Sequence, residues 1–200
     1  MTIVDEDVSA DLRARRYGHG GAVIWLTGLS GAGKSTVATT AERRLFQKGY
    51  NVYVLDGDVL RRGINSDLGY SAEDRHENIR RAGEIAALFA DAGLIVLAAF
   101  LSPYASDRAV ARRAADTRFH EVFVRASVEA CERRDPRGLY RRARAGEIAE
   151  FTGVSAPYEP PLHPELELDT ERLSVEEAVD RLVRYIDERV RLDVPGARQA

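Results

Sequence analysis

Apolar side chains gather here into short runs that alternate with stretches of helical period. Ala22-Val-Ile-Trp-Leu-Thr27 is continuous and apolar, as expected of a strand buried on both faces of a sheet. Leu94 to Phe100 has the same character, and Asn51 to Asp56, Phe119 to Arg125 and Leu166-Glu-Leu168 read as further strands. Helical spacing fills the intervals. Ser35 to Lys48 leaves the first strand, and Arg75 to Ala92 sets Ile79, Ala82, Ile85, Ala86 and Phe89 on one face before Gly93 closes it. Ser106 to Asp116 and Ser127 to Arg134 are shorter helices. Ser174 to Val190 is amphipathic and opens on a capping pair, Ser174 with Glu177. Strands alternating with helices predict an α/β fold: three layers, a mostly parallel sheet with right-handed crossovers, and helices on both faces.

Residues 1–20 are polar and read as an extension, 21–192 as one domain, and 193–200 as a tail. Within the domain, Asp135 to Pro161 breaks the rhythm. Pro and Gly punctuate it, Arg137, Arg141, Arg142 and Arg144 charge it, and it is too long for an ordinary connection; a mobile lid over a phosphate site is the expectation.

Composition narrows the classes. An apolar fraction of 44% with 30% charged residues is that of a globular domain, and a formal charge of −3 supplies no field for nucleic acid or an anionic membrane. No apolar run is long enough to span a bilayer, and the acidic stretch Thr2 to Asp7 does not resemble a signal peptide. The single Cys131 cannot form an internal disulfide and reads as a small core residue, so a cytoplasmic location is expected.

The chemistry is concentrated where strands end. Gly28-Leu29-Ser30-Gly31-Ala32-Gly33-Lys34-Ser35, running on to Thr36, is a phosphate-binding loop placed between a strand and a helix. Its glycines let backbone N–H groups curl around phosphate oxygens, Lys34 can reach the β- and γ-phosphates, and the Ser35 hydroxyl can ligate Mg²⁺. With this loop the fold becomes a P-loop NTPase fold, and the ligand a nucleoside triphosphate such as ATP. Asp56-Gly57-Asp58 ends the second strand, so both carboxylates are expected at the same sheet edge. They can organise metal-bound water, accept a proton from an attacking hydroxyl, or cap the next helix. The strand Leu94 to Phe100 has no terminal Asp, so Ser35 with Asp56 is the expected protein contribution to the metal.

Arg61, Arg75, Tyr70 and Asn78 form a second group suited to an acceptor with anionic groups and a flat base. Ser102, in Ser102-Pro-Tyr104, is open to three readings: substrate contact, nucleophile, or turn residue. His76, His120 and His163 have no metal-ligand spacing and read as solvated or structural, and His19 as a turn residue.

Five segments together resemble the adenylylsulfate kinase (APS kinase) family: Gly28 to Thr36, Leu55 to Asp58, Asp67 to Arg81, Phe100 to Tyr104, and Arg134 to Ile148 running into Phe151-Thr-Gly153. The resemblance covers about residues 13 to 190 and is of the stand-alone kinase form. It implies MgATP-dependent phosphorylation of the ribose 3′-hydroxyl of adenosine 5′-phosphosulfate. Lys34, Asp58 and Ser102 would be catalytic, with Asp58, Arg61, Arg75, Asn78, Leu101 and Ser102 at the acceptor and Tyr70 and Phe151 sandwiching its adenine. Arg141 would be a lid cation and Arg144 would lie over ATP. A homodimer is implied as well. Val59 and Ala105 replace a frequent Asn and Arg of the family pattern. Two other readings of the residues are a kinase of another small hydroxylated acceptor and a nucleotide-binding regulator without turnover.

Overall fold

In the computed structural model, which describes residues 8–192, Ala22–Thr27 (β1) is the middle strand of the sheet and every one of its side chains is buried. Val52–Asp56 (β2), Ile95–Ala99 (β3), Phe119–Arg125 (β4) and Leu166–Asp169 (β5) complete five strands in the order β2-β3-β1-β4-β5. Each neighbouring pair is parallel. The strand alternation sorts β1 between two cores. Ile24 and Leu26 pack with Val37, Ala41 and Leu45 of Lys34–Gln47 (call it the P-loop helix, α2) and with Leu182 and Ile186 of Val175–Val190 (α8). Val23 and Trp25 face the other way, against Ile79, Ala82 and Ala86 of Ala72–Asp91 (α4) and Ala111 of Ala105–Ala115 (α5). Three layers follow from a strand with two apolar faces.

The described elements agree with the expected order and differ at their ends. The helix expected from Arg75 starts at Ala72, because the Ser71 hydroxyl accepts from the Asp74 amide at 3.1 Å and fixes the first turn. Residues 57–60 form a helical turn (α3), and the expected lid contains a short helix, Leu139–Arg144 (α7). Part of the extension is helical, Ala10–Tyr17 (α1), closed by Gly18, and Val128–Arg134 (α6) follows β4. Residues 1–7 and the tail 193–200, with the acidic start of the extension, lie outside the described residues. No helix among the described residues is long and apolar enough to cross a membrane.

The base of the lid segment is anchored. Tyr140 is 1% exposed, and its hydroxyl donates to the Ser30 carbonyl at 2.9 Å, tying α7 to the phosphate loop. At the far edge of the sheet, the Glu42 carboxylate of α2 accepts from the Val54 amide of β2 at 2.8 Å. His19 joins α1 to the sheet: Nε2 accepts from the Asn51 amide at 3.1 Å, with Nδ1 3.0 Å from the Gly20 carbonyl.

Trp25 is fully buried, stacks on Phe100 and Phe119 at centroid distances of 4.8 and 5.8 Å, and donates from Nε1 to the Ser102 hydroxyl at 3.1 Å. Trp25→Phe removes that donor and leaves a void between α4 and the sheet. A loss of about 1–3 kcal/mol in urea unfolding followed by circular dichroism is expected; an unchanged midpoint would show that the indole is not a keystone of this core.

Candidate active site

Beyond Thr27 the chain has to turn beneath β4, and only glycine fits the first step. Gly28 has φ 152°, and a Cβ there would lie 2.3 Å from the Val124 carbonyl oxygen. Gly33, at φ 101°, delivers the backbone into α2 in the left-handed region that an L side chain avoids. The loop from Gly28 through Leu29, Ser30, Gly31, Ala32 and Gly33 therefore ends on a 14-residue helix whose first residues are Lys34, Ser35 and Thr36. The first N–H groups of such a helix have no partners within it and, with the helix dipole, favour an anion.

Lys34 folds over its own loop. Nζ donates to the Gly28 carbonyl at 2.7 Å and to the Leu29 carbonyl at 2.8 Å, so one of its three donors is left for a phosphate oxygen. Burial pushes its pKa down to about 8, against the pull of the nearby Cys131, Asp56 and Asp58.

Asp56 serves two partners. Its Oδ2 accepts from the Ser35 hydroxyl at 2.7 Å, and its Oδ1 accepts from the Asp58 amide at 2.8 Å, capping α3. The cap reading of the Asp pair thus applies to Asp56. Ser35 and Asp56, expected to share a metal, are brought together, and a hydroxyl with a carboxylate oxygen is the hard donor set that Mg²⁺ takes. Among the described residues no group of three or more His, Cys, Asp or Glu side chains forms a ready metal cage.

Asp58 lies at the start of α3 with its carboxylate ion-paired to Arg137 of the lid segment. Arg137 is a residue that the sequence reading counted only as lid charge. Arg134, read only as the end of the helix from Ser127, reaches the loop: its guanidinium donates to the Gly31 carbonyl at 3.3 Å and to the Thr170 carbonyl at 2.6 Å, while the Thr170 hydroxyl donates to the Ala32 carbonyl at 2.9 Å. These contacts hold the outer turn of the loop. A basic residue ending α6 was visible in the sequence; that it reaches the loop was not.

The acceptor group is partly assembled. Arg75 donates from Nε to the Tyr70 carbonyl at 2.9 Å and from NH2 to the Glu150 carbonyl at 3.1 Å, linking α4 to the segment after α7. Arg61 donates to the Gly69 carbonyl at 2.7 Å, and its guanidinium lies over the Tyr70 ring, 4.5 Å from the centroid. Asn78 is buried on α4. Tyr70 is exposed, whereas Phe151 packs edge-on against Tyr140 at 5.0 Å, so each expected sandwich ring has a different neighbour here. Leu101 is half-buried, and its carbonyl accepts from the Thr27 hydroxyl at 3.0 Å. Arg141 and Arg144 are exposed on α7, the latter paired with Glu132 at 3.2 Å.

Ser102 corrects the sequence reading. Its hydroxyl is not presented at the open edge: the residue is 1% exposed, accepts from Trp25 Nε1 and donates to the Thr27 hydroxyl at 2.9 Å. It adopts φ 36°, and its carbonyl accepts from Arg108 at 2.9 Å. Neither a nucleophile nor a hydroxyl contact to substrate suits a group so engaged. It shapes the turn after β3 instead.

Residues 20–169 match the family model described as adenylylsulphate kinase. The chain is 52% identical over 189 residues to the adenylyl-sulfate kinase of Staphylococcus epidermidis, covering 94% of this chain and 95% of that one. It is 55% identical over 175 residues to that of Geotalea uraniireducens, covering 87% and 84%. Among solved structures, the Mycobacterium tuberculosis APS kinase in complex with AMPPNP and APS superposes with a TM-score of 0.81 at 48% identity, over 84% of this chain and 98% of that one. A gluconokinase from Sinorhizobium meliloti, 19% identical at a TM-score of 0.53, shares the fold alone.

The lowered Lys34 pKa sets a direction for pH. Its ammonium is charged below about pH 8 and loses its proton as pH rises through that value, so ATP binding weakens on the basic side. Calorimetric titration with ATP from about pH 7 to 9.5 is expected to show Kd rising above pH 8, with that limb absent in Lys34→Met; the same limb in Lys34→Met would assign it to another group.

Proposed function

The chain belongs to the adenylylsulphate kinase family, and on that premise we infer that it transfers the γ-phosphoryl group of ATP to the ribose 3′-hydroxyl of adenosine 5′-phosphosulfate. The observation that carries the reading is the shared carboxyl edge of the sheet. There the phosphate loop after β1 and the Asp56-Gly57-Asp58 turn after β2 are joined through the Ser35–Asp56 hydrogen bond. A donor held on the first and an acceptor on the second are aligned for in-line transfer.

In this scheme the loop amides and Lys34 bind the ATP phosphates. Ser35 and Asp56 would hold Mg²⁺, which when bound supplies positive charge to the β- and γ-phosphate oxygens. Asp58 orients the 3′-hydroxyl and takes its proton as the oxygen attacks the γ-phosphorus and the bond to ADP breaks. Arg61, Arg75 and Asn78, with Leu101, line the acceptor pocket, and Tyr70 and Phe151 flank the adenine. Arg137, which pairs with Asp58, can turn to an anionic oxygen once the hydroxyl becomes the carboxylate's partner. Arg141 and Arg144 belong to the lid that closes over the nucleotides and excludes water. Thr27 and Ser102 hold the floor of the site by their mutual hydrogen bond. Transfer is direct, with no phosphorylated serine. The same reading includes a homodimer in the cytoplasm; a monomer in light scattering would remove the assembly from it.

Coupled measurement of ADP release is expected to favour adenosine 5′-phosphosulfate over plain nucleosides and shikimate-like acids, and turnover of any of those alone would point to another acceptor class. Asp58→Asn is expected to lower kcat at least ~10²-fold with ATP binding retained; an unaffected kcat would take Asp58 out of the proton transfer.

A further inference from the structure

Asn65 lies in the loop that joins α3, which carries Asp58, to α4, which carries Arg75 and Asn78. It is fully buried. A buried polar side chain in a loop ordinarily satisfies all its groups, since each one left without a partner costs about 1–3 kcal/mol. Asn65 does not. Its Nδ2 donates to Asn78 Oδ1 at 3.0 Å, while its own Oδ1 is buried with no hydrogen-bond partner. Its backbone does not account for the side chain: the Asn65 amide donates to the Leu60 carbonyl and its carbonyl accepts from the Leu68 amide, bonds that any non-proline residue can make. An aliphatic residue would fill the same place without the orphaned oxygen.

The gain lies at Asn78. A primary amide has an accepting end and a donating end, and a free asparagine can present either by a half-turn of its terminal bond. Asn65 occupies the accepting end. The Asn78 Nδ2 makes no hydrogen bond within the described residues, and it is not among their sealed, partnerless atoms. It is the end left for a ligand. The loop is itself held in place: Arg81 on α4 donates to the Ile64 carbonyl at 3.1 Å and forms a bidentate pair with Asp67 at 2.8 and 2.9 Å.

We propose that Asn65 is a positioning residue that locks the Asn78 amide with its nitrogen toward the acceptor pocket, so that the pocket reads a hydrogen-bond-accepting atom of the substrate. This rests on the reading of the site as the binding place of adenosine 5′-phosphosulfate. Asn65 touches no substrate; it acts through Asn78 alone.

The test is a double-mutant cycle in the full chain, with initial rates measured against both substrates. Asn65→Leu removes the orphaned acceptor but also the donor to the buried Asn78 Oδ1, so the two effects offset and the thermal midpoint is expected to stay about level. The KM for adenosine 5′-phosphosulfate is expected to rise about 10-fold, the fold-change for one lost oriented hydrogen bond, with the KM for ATP unchanged. In an Asn78→Ala background the same substitution is expected to change nothing further, because the group it orients is gone. A purely structural role would instead lower the midpoint, move both KM values, and persist in the Asn78→Ala background; any of these overturns the proposal, as does an unchanged KM in the single variant. Should Asn65→Leu not fold, Asn65→Ala, which likewise has no side-chain donor, is measured in the same cycle, with the two KM values and their response in the Asn78→Ala background as the criteria. Failure of the unsubstituted protein to phosphorylate adenosine 5′-phosphosulfate would overturn the functional reading itself, a result distinct from an unresponsive Asn65.

Discussion

Complete burial of β1 is the constraint from which the rest of the molecule follows. A central parallel strand with apolar side chains on both faces commits its backbone groups to two neighbours and its side chains to two cores. The first residue free of both is Gly28, and it is free only because it lacks a Cβ: the Val124 carbonyl lies where one would be. The loop is thus forced out at the carboxyl end of the sheet, the one place where β2 and β3 also release Asp56 and Leu101. A polar site on an apolar scaffold is positioned by the register of strands that take no part in the chemistry.

The charges of the site are arranged by shared partners. Asp56 is bonded to Ser35 on one oxygen and to the start of α3 on the other, so the first turn of α2 and the backbone bearing Asp58 are held by one carboxylate. Lys34 stays within its own loop, in surroundings that make its charge costly, and a phosphate oxygen would offset that cost. Arginines enter from α6 and the segment after it: Arg134 to the Gly31 and Thr170 carbonyls, Arg137 to Asp58. Since only Lys34 and Lys48 of the 29 basic residues are lysines, nearly every cationic side chain that this chain can offer an anion has the planar, forked geometry of a guanidinium.

Much of this was legible in the sequence, for identifiable reasons. Doubly buried strands are continuous apolar runs, so β1 and β3 could be read within a residue of their ends. The phosphate loop follows a fixed spacing because backbone curvature demands it. The start of α4 was misplaced although Ser71 and Asp74 carried a capping signal, because the apolar periodicity only begins further on. Arg137 could not be singled out among so many arginines, since its partner is 79 residues away and only the tertiary fold joins them. Ser102 looked like an edge hydroxyl because the strand ends there; its positive φ and its bonds to Trp25 and Thr27 are tertiary facts that turn it inward. Asn65 looked like any polar loop residue, and only its burial against Asn78 sets it apart.

The Glu42 carboxylate on the Val54 amide bears on how copies of this chain can meet. β2 is an outer strand, and its outward N–H groups are the natural template for a foreign strand to extend the sheet. With the middle of those donors already spent on a side chain from α2, a sixth strand would have to displace a charged group to dock in register. The sheet is guarded against growth on that side by an intramolecular bond, and association there that leaves this bond intact has to proceed through helical or loop surfaces.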